Sequence, residues 1–130
     1  MLKGVVTHGT GRRAQKIEWP IAGKTGTTDD FTDAWFVGYS PDILVGVWSG
    51  FDEPKSLGKY ETGGRVAVPI WANYMEQALR GMPKRDFVVP EGIVFVPIDS
   101  QTGELATVQT KNVIDEAFPE GKEPSVAAQF

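Results

Sequence analysis

Residues 21–51 read "IAGKTGTTDDFTDAWFVGYSPDILVGVWSGF", and how this stretch is divided decides the fold. Two β-rich runs, "DAWFVGYS" (33–40) and "ILVGVWSGF" (43–51), are separated by Pro41-Asp42, a short polar break suited to a hairpin. Alternation puts Trp35, Val37 and Tyr39 on one face of the first run. In the second, Leu44, Gly46, Trp48 and Gly50 share one face, and Ile43, Val45, Val47 and Phe51 share the other. Both faces of that run are largely apolar, so cover on both sides is expected. Upstream, "IEWPIAGKTGTT" (17–28) reads as a further strand with Pro20 near its start, a position that fits a sheet edge.

Outward from this stretch the signals change character. The opening "MLKGVVTHGTGRR" (1–13) places Leu2, Val5 and Val6 on one helical face, closed by Gly9 and Gly11. A loop is expected over "DEPKSLGKYETGG" (52–64). The clearest helix is "VPIWANYMEQALRG" (68–81), with Pro69 in its first turn and Gly81 then Pro83 stopping it. Its expected apolar stripe is Ile70, Trp71, Tyr74, Met75, Ala78 and Leu79. Further on, "IVFVPID" (93–99) and "ELATV" (104–108) flank the turn "SQTG" as a second, smaller hairpin. Residues 109–130 show no strong periodicity and read as a tail after a portion spanning 1–108. Short connections between the strands imply an antiparallel sheet of about three strands with the helix packed on it, an α+β fold.

Composition narrows the function classes. With 41% hydrophobic and 23% charged residues the chain is of globular type. Its net charge of −4 argues against a protein made to coat nucleic acid or an anionic membrane surface. There is no cysteine and a single histidine, His8, so thiolate and histidine-rich metal sites are excluded, and neither a metal nor a cofactor is expected. No apolar run approaches the roughly 18–20 residues of a membrane-spanning helix. The first residues lack the layout of a signal peptide, so any targeting segment is expected elsewhere.

Gly23-Lys24-Thr25-Gly26-Thr27 admits three readings. A phosphate-binding loop ends in Gly-Lys-Thr, but it needs a glycine where this chain has Glu18, a carboxylate that repels phosphate. Trp19 and Pro20 then fill the loop with a bulky ring and a residue lacking an N–H, and a strand-like run follows, so that reading fails. The second is acyl transfer: a lysine ammonium attracts an anionic substrate, threonine hydroxyls hydrogen-bond a carboxylate, and Gly26 clears room beside a strand. A backbone N–H there can face an oxyanion. The third is a solvated lysine with β-forming threonines on an exposed face, and the bare tripeptide alone favours this one.

The surrounding sequence shifts the balance. "AGKTGTTDDFTDAWFVGYSPDILVGVWSGFDEPKSLG" (22–58) closely resembles the region after the lysine motif of class A penicillin-binding proteins, the bifunctional peptidoglycan glycosyltransferase/transpeptidases. "VVTHGTGRRA" (5–14), "GGRVAVPIWANYM" (63–75), "VPIDSQTGELA" (96–106) and "EAFPEGKEP" (116–124) extend the resemblance over nearly the whole chain. It implies part of the serine β-lactamase-like transpeptidase fold, acting at the extracytoplasmic face of the bacterial envelope and anchored by a segment outside this chain. Implied ligands are the peptidoglycan stem peptide and β-lactams, and the implied partner is the remainder of the transpeptidase domain. Lys24 would organise charge and protons, Thr25 and Thr27 would bind the terminal carboxylate, and the Thr27 N–H would serve the oxyanion, with Gly26 permitting the approach.

One departure is large. The family's serine-x-x-lysine and serine-x-asparagine elements precede the lysine motif, yet none of the 23 residues before Lys24 is a serine. The nucleophile is therefore expected outside this chain, and the chain alone is expected to be inactive. Ser56-Leu57-Gly58-Lys59 matches the first element literally, but Pro54 and Gly58 oppose the helix it requires. Asp29-Asp30-Phe31-Thr32-Asp33 spells a magnesium-diphosphate motif, in a turn where aspartates commonly satisfy backbone N–H groups. Arg12-Arg13 reads as a solvated pair, and His8 as a helix-end or loop residue. The rival reading is a noncatalytic peptidoglycan-binding or interaction module on the same scaffold. A sheet face and a strand edge left uncovered also lead to the expectation of homo-oligomers.

Overall fold

A computed structural model describes residues 1–127. The elements run α1 (Leu2–Thr7), a 3-10 turn (Arg12–Lys16), β1 (Ala22–Thr27), β2 (Asp33–Tyr39), β3 (Leu44–Gly50), α2 (Ala67–Ala78), β4 (Ile93–Asp99) and β5 (Val113–Pro119). They fall into two compact units, Met1–Phe87 and a second from Val88 onward. The first holds an antiparallel sheet in the order β1-β2-β3, and the second a two-stranded antiparallel ribbon, β4-β5. The α+β class expected from the sequence is the one observed.

The β2–β3 hairpin turns at Pro41-Asp42 as expected. Ser40 closes it: its buried hydroxyl accepts the N–H groups of Asp42 and Ile43 at 3.3 and 3.1 Å. In register, Trp35 faces Trp48, Phe36 faces Val47 and Val37 faces Gly46. Ala34, Phe36 and Gly38 form the inner face of β2, and Trp35 and Val37 the outer one. Cover on both sides of β3 is not what the structure shows. Leu44 is 69% exposed and Trp48 45%, while Val45 and Val47 pack toward the core. Helix α2 packs on that inner face, and Trp35, Val37, Leu44 and Trp48 of the outer face are left exposed.

Helix α2 contains Pro69 in its first turn, and Gly81 follows it at φ +81°, the left-handed backbone that ends helices. Its buried stripe differs from the expected one. Ala67, Trp71, Met75 and Leu79, with Val68 and Ala72 beside them, are fully buried, whereas Ile70 and Tyr74 are exposed. The physical reason is close approach. Alanine at 67 and 72 lets the helix lie near the sheet, and that sets the helical phase against the larger Ile70 and Tyr74. Trp71 anchors the packing. Its ring stands edge-on to Phe36 at 5.0 Å, and its indole N–H is shared by the carbonyls of Gly38 and Val45 at 3.2 and 3.1 Å.

The second hairpin also requires correction. β4 pairs with β5 over seven residues, from Ile93 opposite Pro119 to Asp99 opposite Val113, whereas the "ELATV" run contributes only isolated bridges, from Leu105 to Ile98 and to Ala127. The expected turn does form, with Gly103 at φ +76° and its N–H on the Asp99 carbonyl. Pro97 explains why the ladder stops there. Its carbonyl accepts the Ala106 N–H at 2.9 Å, so that edge of β4 is the one where the missing proline N–H falls. The reciprocal bond cannot form, and the other edge takes β5 instead. Residues read as an aperiodic tail therefore contain a strand; residues 128–130 of that tail lie outside the described structure.

Candidate functional site

Lys24, Thr25, Gly26 and Thr27 are consecutive on β1, an outer strand of the three-stranded sheet. Register divides them between its faces. Thr25 and Thr27 lie opposite Phe36 and Ala34, on the inner side, while Lys24 and Gly26 lie opposite Val37 and Trp35, on the open side. The Lys24 ammonium folds back to the Thr25 carbonyl at 2.7 Å.

Both threonine hydroxyls have partners from other segments. Thr25 Oγ1 lies 2.6 Å from Thr10 Oγ1, and Thr27 Oγ1 accepts the backbone N–H of Gly63 at 3.0 Å. A hydroxyl carries one donor and two acceptor positions, so Thr27 keeps its O–H free, and one of the Thr10–Thr25 pair does likewise. Two O–H donors are thus available along one side of the strand, which suits a carboxylate.

The neighbours that build this arrangement are ones the sequence reading passed over. A Cβ at Gly63 would lie 2.3 Å from the Trp35 carbonyl oxygen and 2.5 Å from that of Gly26. One at Gly64 would lie 2.4 Å from the Thr10 carbonyl oxygen. The glycine that close approach demands is therefore Gly63 as well as Gly26, whose own Cβ would meet Trp35 Cβ at 3.2 Å. The available signals were the doublet Gly63-Gly64 and the "GTGRR" loop, read as plain loops. Between them opens a cleft of about 450 Å³, with Thr10, Arg12 and Arg13 on one wall and Thr62, Gly64 and Arg65 on the other.

The decoy motifs are accounted for locally. His8 caps the C-terminal end of α1, its ring 2.9 Å from the Thr7 hydroxyl. Ser56 accepts the Gly58 N–H at 3.2 Å within a loop, and Gly58 has φ +123°, so no helix aligns it with Lys59. In the Asp29–Asp33 turn, Thr28 rather than an aspartate binds the backbone, accepting the N–H groups of Thr32 and Asp33 at 3.0 Å. Asp33 itself accepts the Trp48 indole N–H at 2.8 Å and the Thr32 hydroxyl. These bonds, the indole's first, hold its carboxyl below the ordinary value. Among the described residues no three His, Cys, Asp or Glu side chains gather as a metal site.

The chain is similar to known proteins over nearly its whole length. Residues 1–76 match the family model described as penicillin binding protein transpeptidase domain, and residues 89–127 match penicillin-binding protein 1A, C-terminal domain. Penicillin-binding protein 1A of Aquifex aeolicus is 48% identical over 126 residues, covering 97% of this chain and 17% of its own length. That of Pseudomonas aeruginosa is 47% identical over 128 residues, covering 97% and 16%. The crystal structure of penicillin-binding protein 1A from Haemophilus influenzae superposes with a TM-score of 0.87 at 33% identity, covering 98% of this chain and 20% of that one. The chain thus spans about one sixth of the curated relatives it matches. On this sequence and fold, the chain belongs to the penicillin-binding protein transpeptidase family.

Proposed function

We propose that this chain supplies the substrate-carboxylate and oxyanion strand of a peptidoglycan D,D-transpeptidase, the enzyme class that β-lactams acylate. In that reaction a serine oxygen attacks the penultimate D-alanine carbonyl of a stem peptide. The terminal D-alanine leaves as an amine carrying the proton, and an amine of a second strand then displaces the serine. Thr25 and Thr27 bind the terminal carboxylate, Thr27 through its free O–H and Thr25 when Thr10 is the donor of their shared hydrogen bond, and Thr27 N–H donates to the carbonyl oxygen as it gains charge. Lys24, its ammonium held at the Thr25 carbonyl, adds positive potential at the strand. The serine lies in the remainder of the transpeptidase domain, outside this chain, so the chain alone neither cross-links stem peptides nor traps a β-lactam.

The observation that carries this reading is the common side of Thr25 and Thr27 on β1, with one O–H donor left at Thr27 and one at the Thr10–Thr25 pair. The wider setting belongs to the same proposal: a longer protein with a glycosyltransferase region, at the extracytoplasmic face of the bacterial envelope, anchored by a segment elsewhere. Among the described residues, no helix is long and apolar enough to cross a membrane.

The test uses a longer protein joining this chain to its serine-bearing region. Thr25→Val and Thr27→Val are each expected to slow acylation by a β-lactam about 10–100-fold, the worth of one hydrogen bond to a charged group. Rates within twofold of the parent would remove the carboxylate role. Absence of acylation at any serine of the parent itself would instead favour a noncatalytic module.

A further inference from the structure

In a chain of net charge −4, three arginines meet at one cleft. Arg12 and Arg13 line one wall and Arg65 the other, and among the described residues Glu61 pairs with one of them, 4.0 Å from Arg65 at an exposed pair. The walls are held in place. Arg13 donates from Nη1 to the Arg65 carbonyl at 3.0 Å, which fixes its guanidinium across the cleft and leaves its other N–H donors unassigned by that bond. Gly64 lies so near the Thr10 carbonyl that any side chain there would clash, so the two walls are pressed together at one end. Thr10 also joins the cleft to β1, since its hydroxyl meets that of Thr25 at 2.6 Å.

We propose that this cleft is a second anion site, taking a carboxylate of a peptide next to the one held by Thr25 and Thr27. Guanidinium forks match the planar two-oxygen geometry of a carboxylate, and phosphate shares enough of that chemistry to compete. The ligand's identity rests on the proposed function: a peptide bearing more than one carboxylate, or the incoming second strand, presents an anion beside the reacting terminus. The cleft's preference for an anion rests on the arginines alone.

The 130-residue chain, labelled with ¹⁵N, is titrated with acetate, with inorganic phosphate, and with an N-acetylated peptide ending in D-Ala-D-Ala that also carries a side-chain carboxylate. Saturable shifts are expected at the amides of Thr10, Gly64 and Arg65 with both acetate and the peptide. The double substitution Arg12→Gln with Arg65→Gln, which keeps the Arg13 bond, is expected to weaken them at least tenfold. Unsaturable shifts, affinity unchanged by that substitution, or saturation by phosphate alone would each overturn the proposal. Peptide shifts at the cleft amides without any along Lys24–Thr27 would count against the strand's role and for the cleft. Shifts along Lys24–Thr27 without any at the cleft would sink the cleft and spare the strand.

Discussion

Asp33 shows how one side chain can be mistaken for chemistry and turn out to be architecture. Its carboxylate ties the start of β2 to Trp48 of β3 through the indole N–H, and the same bond lowers its pKa from the ordinary value. A depressed carboxylate adds stability above the unfolded-state pKa of about 3.9, and that contribution is lost as pH falls through the folded value. Trp48→Phe removes the largest cause, so the Asp33 titration is expected to move up toward the ordinary carboxylate value. NMR titration of the carboxyl carbon reads this directly; an unmoved midpoint would show that the indole bond does not set it. At this scale the placement of Lys24, Thr25, Gly26 and Thr27 on one strand was legible, because they are consecutive in a β-forming run. Thr10 and Gly63 were not: they meet that strand from 15 and 36 positions away, with no local pattern to announce it.

Among the elements, the packing of α2 on the sheet is the joint most sensitive to change. A Cβ on Gly38 would fall 2.7 Å from the Trp71 ring and 2.6 Å from Phe36. Gly38→Ala is expected to cost about 2 kcal/mol through overpacking, lowering Tm by roughly 10 °C in a unit of this size. Calorimetry measures it, and an unchanged Tm would mean the helix is free to slide outward. By contrast, Ile70→Ala on the exposed side of α2 is expected to change stability by less than about 0.5 kcal/mol. The helix itself and the hairpin at Pro41-Asp42 could be read from periodicity and turn chemistry. Helix phase could not, because Ile70 and Tyr74 outweigh Ala67 and Ala72 in apolarity while the alanines permit contact. Nor could the partner of β4, where the edge carrying the Pro97 gap decides between two adjacent runs.

At the scale of the molecule, the unit Met1–Phe87 buries one core and leaves the opposite sheet face open, with Trp35, Val37, Leu44 and Trp48 each at least 41% exposed. Such a patch, beside strand edges that nothing pairs among the described residues, favours association. We expect concentration-dependent self-association of the chain, weakened by Leu44→Thr with Trp48→Thr. A strict monomer in light scattering at high concentration would rule it out. Family membership was legible across most of the length because the "KTGTT", "DAWFVGY" and "GVWSGF" blocks occur together, though the open face showed only once α2 was seen to cover one side. We propose that this chain holds the carboxylate and oxyanion strand but not the nucleophile. Intact-mass spectrometry after incubation with excess penicillin is the test. An unchanged mass is the expected result; a stoichiometric gain of one β-lactam, at Ser56 or any other residue, would contradict it.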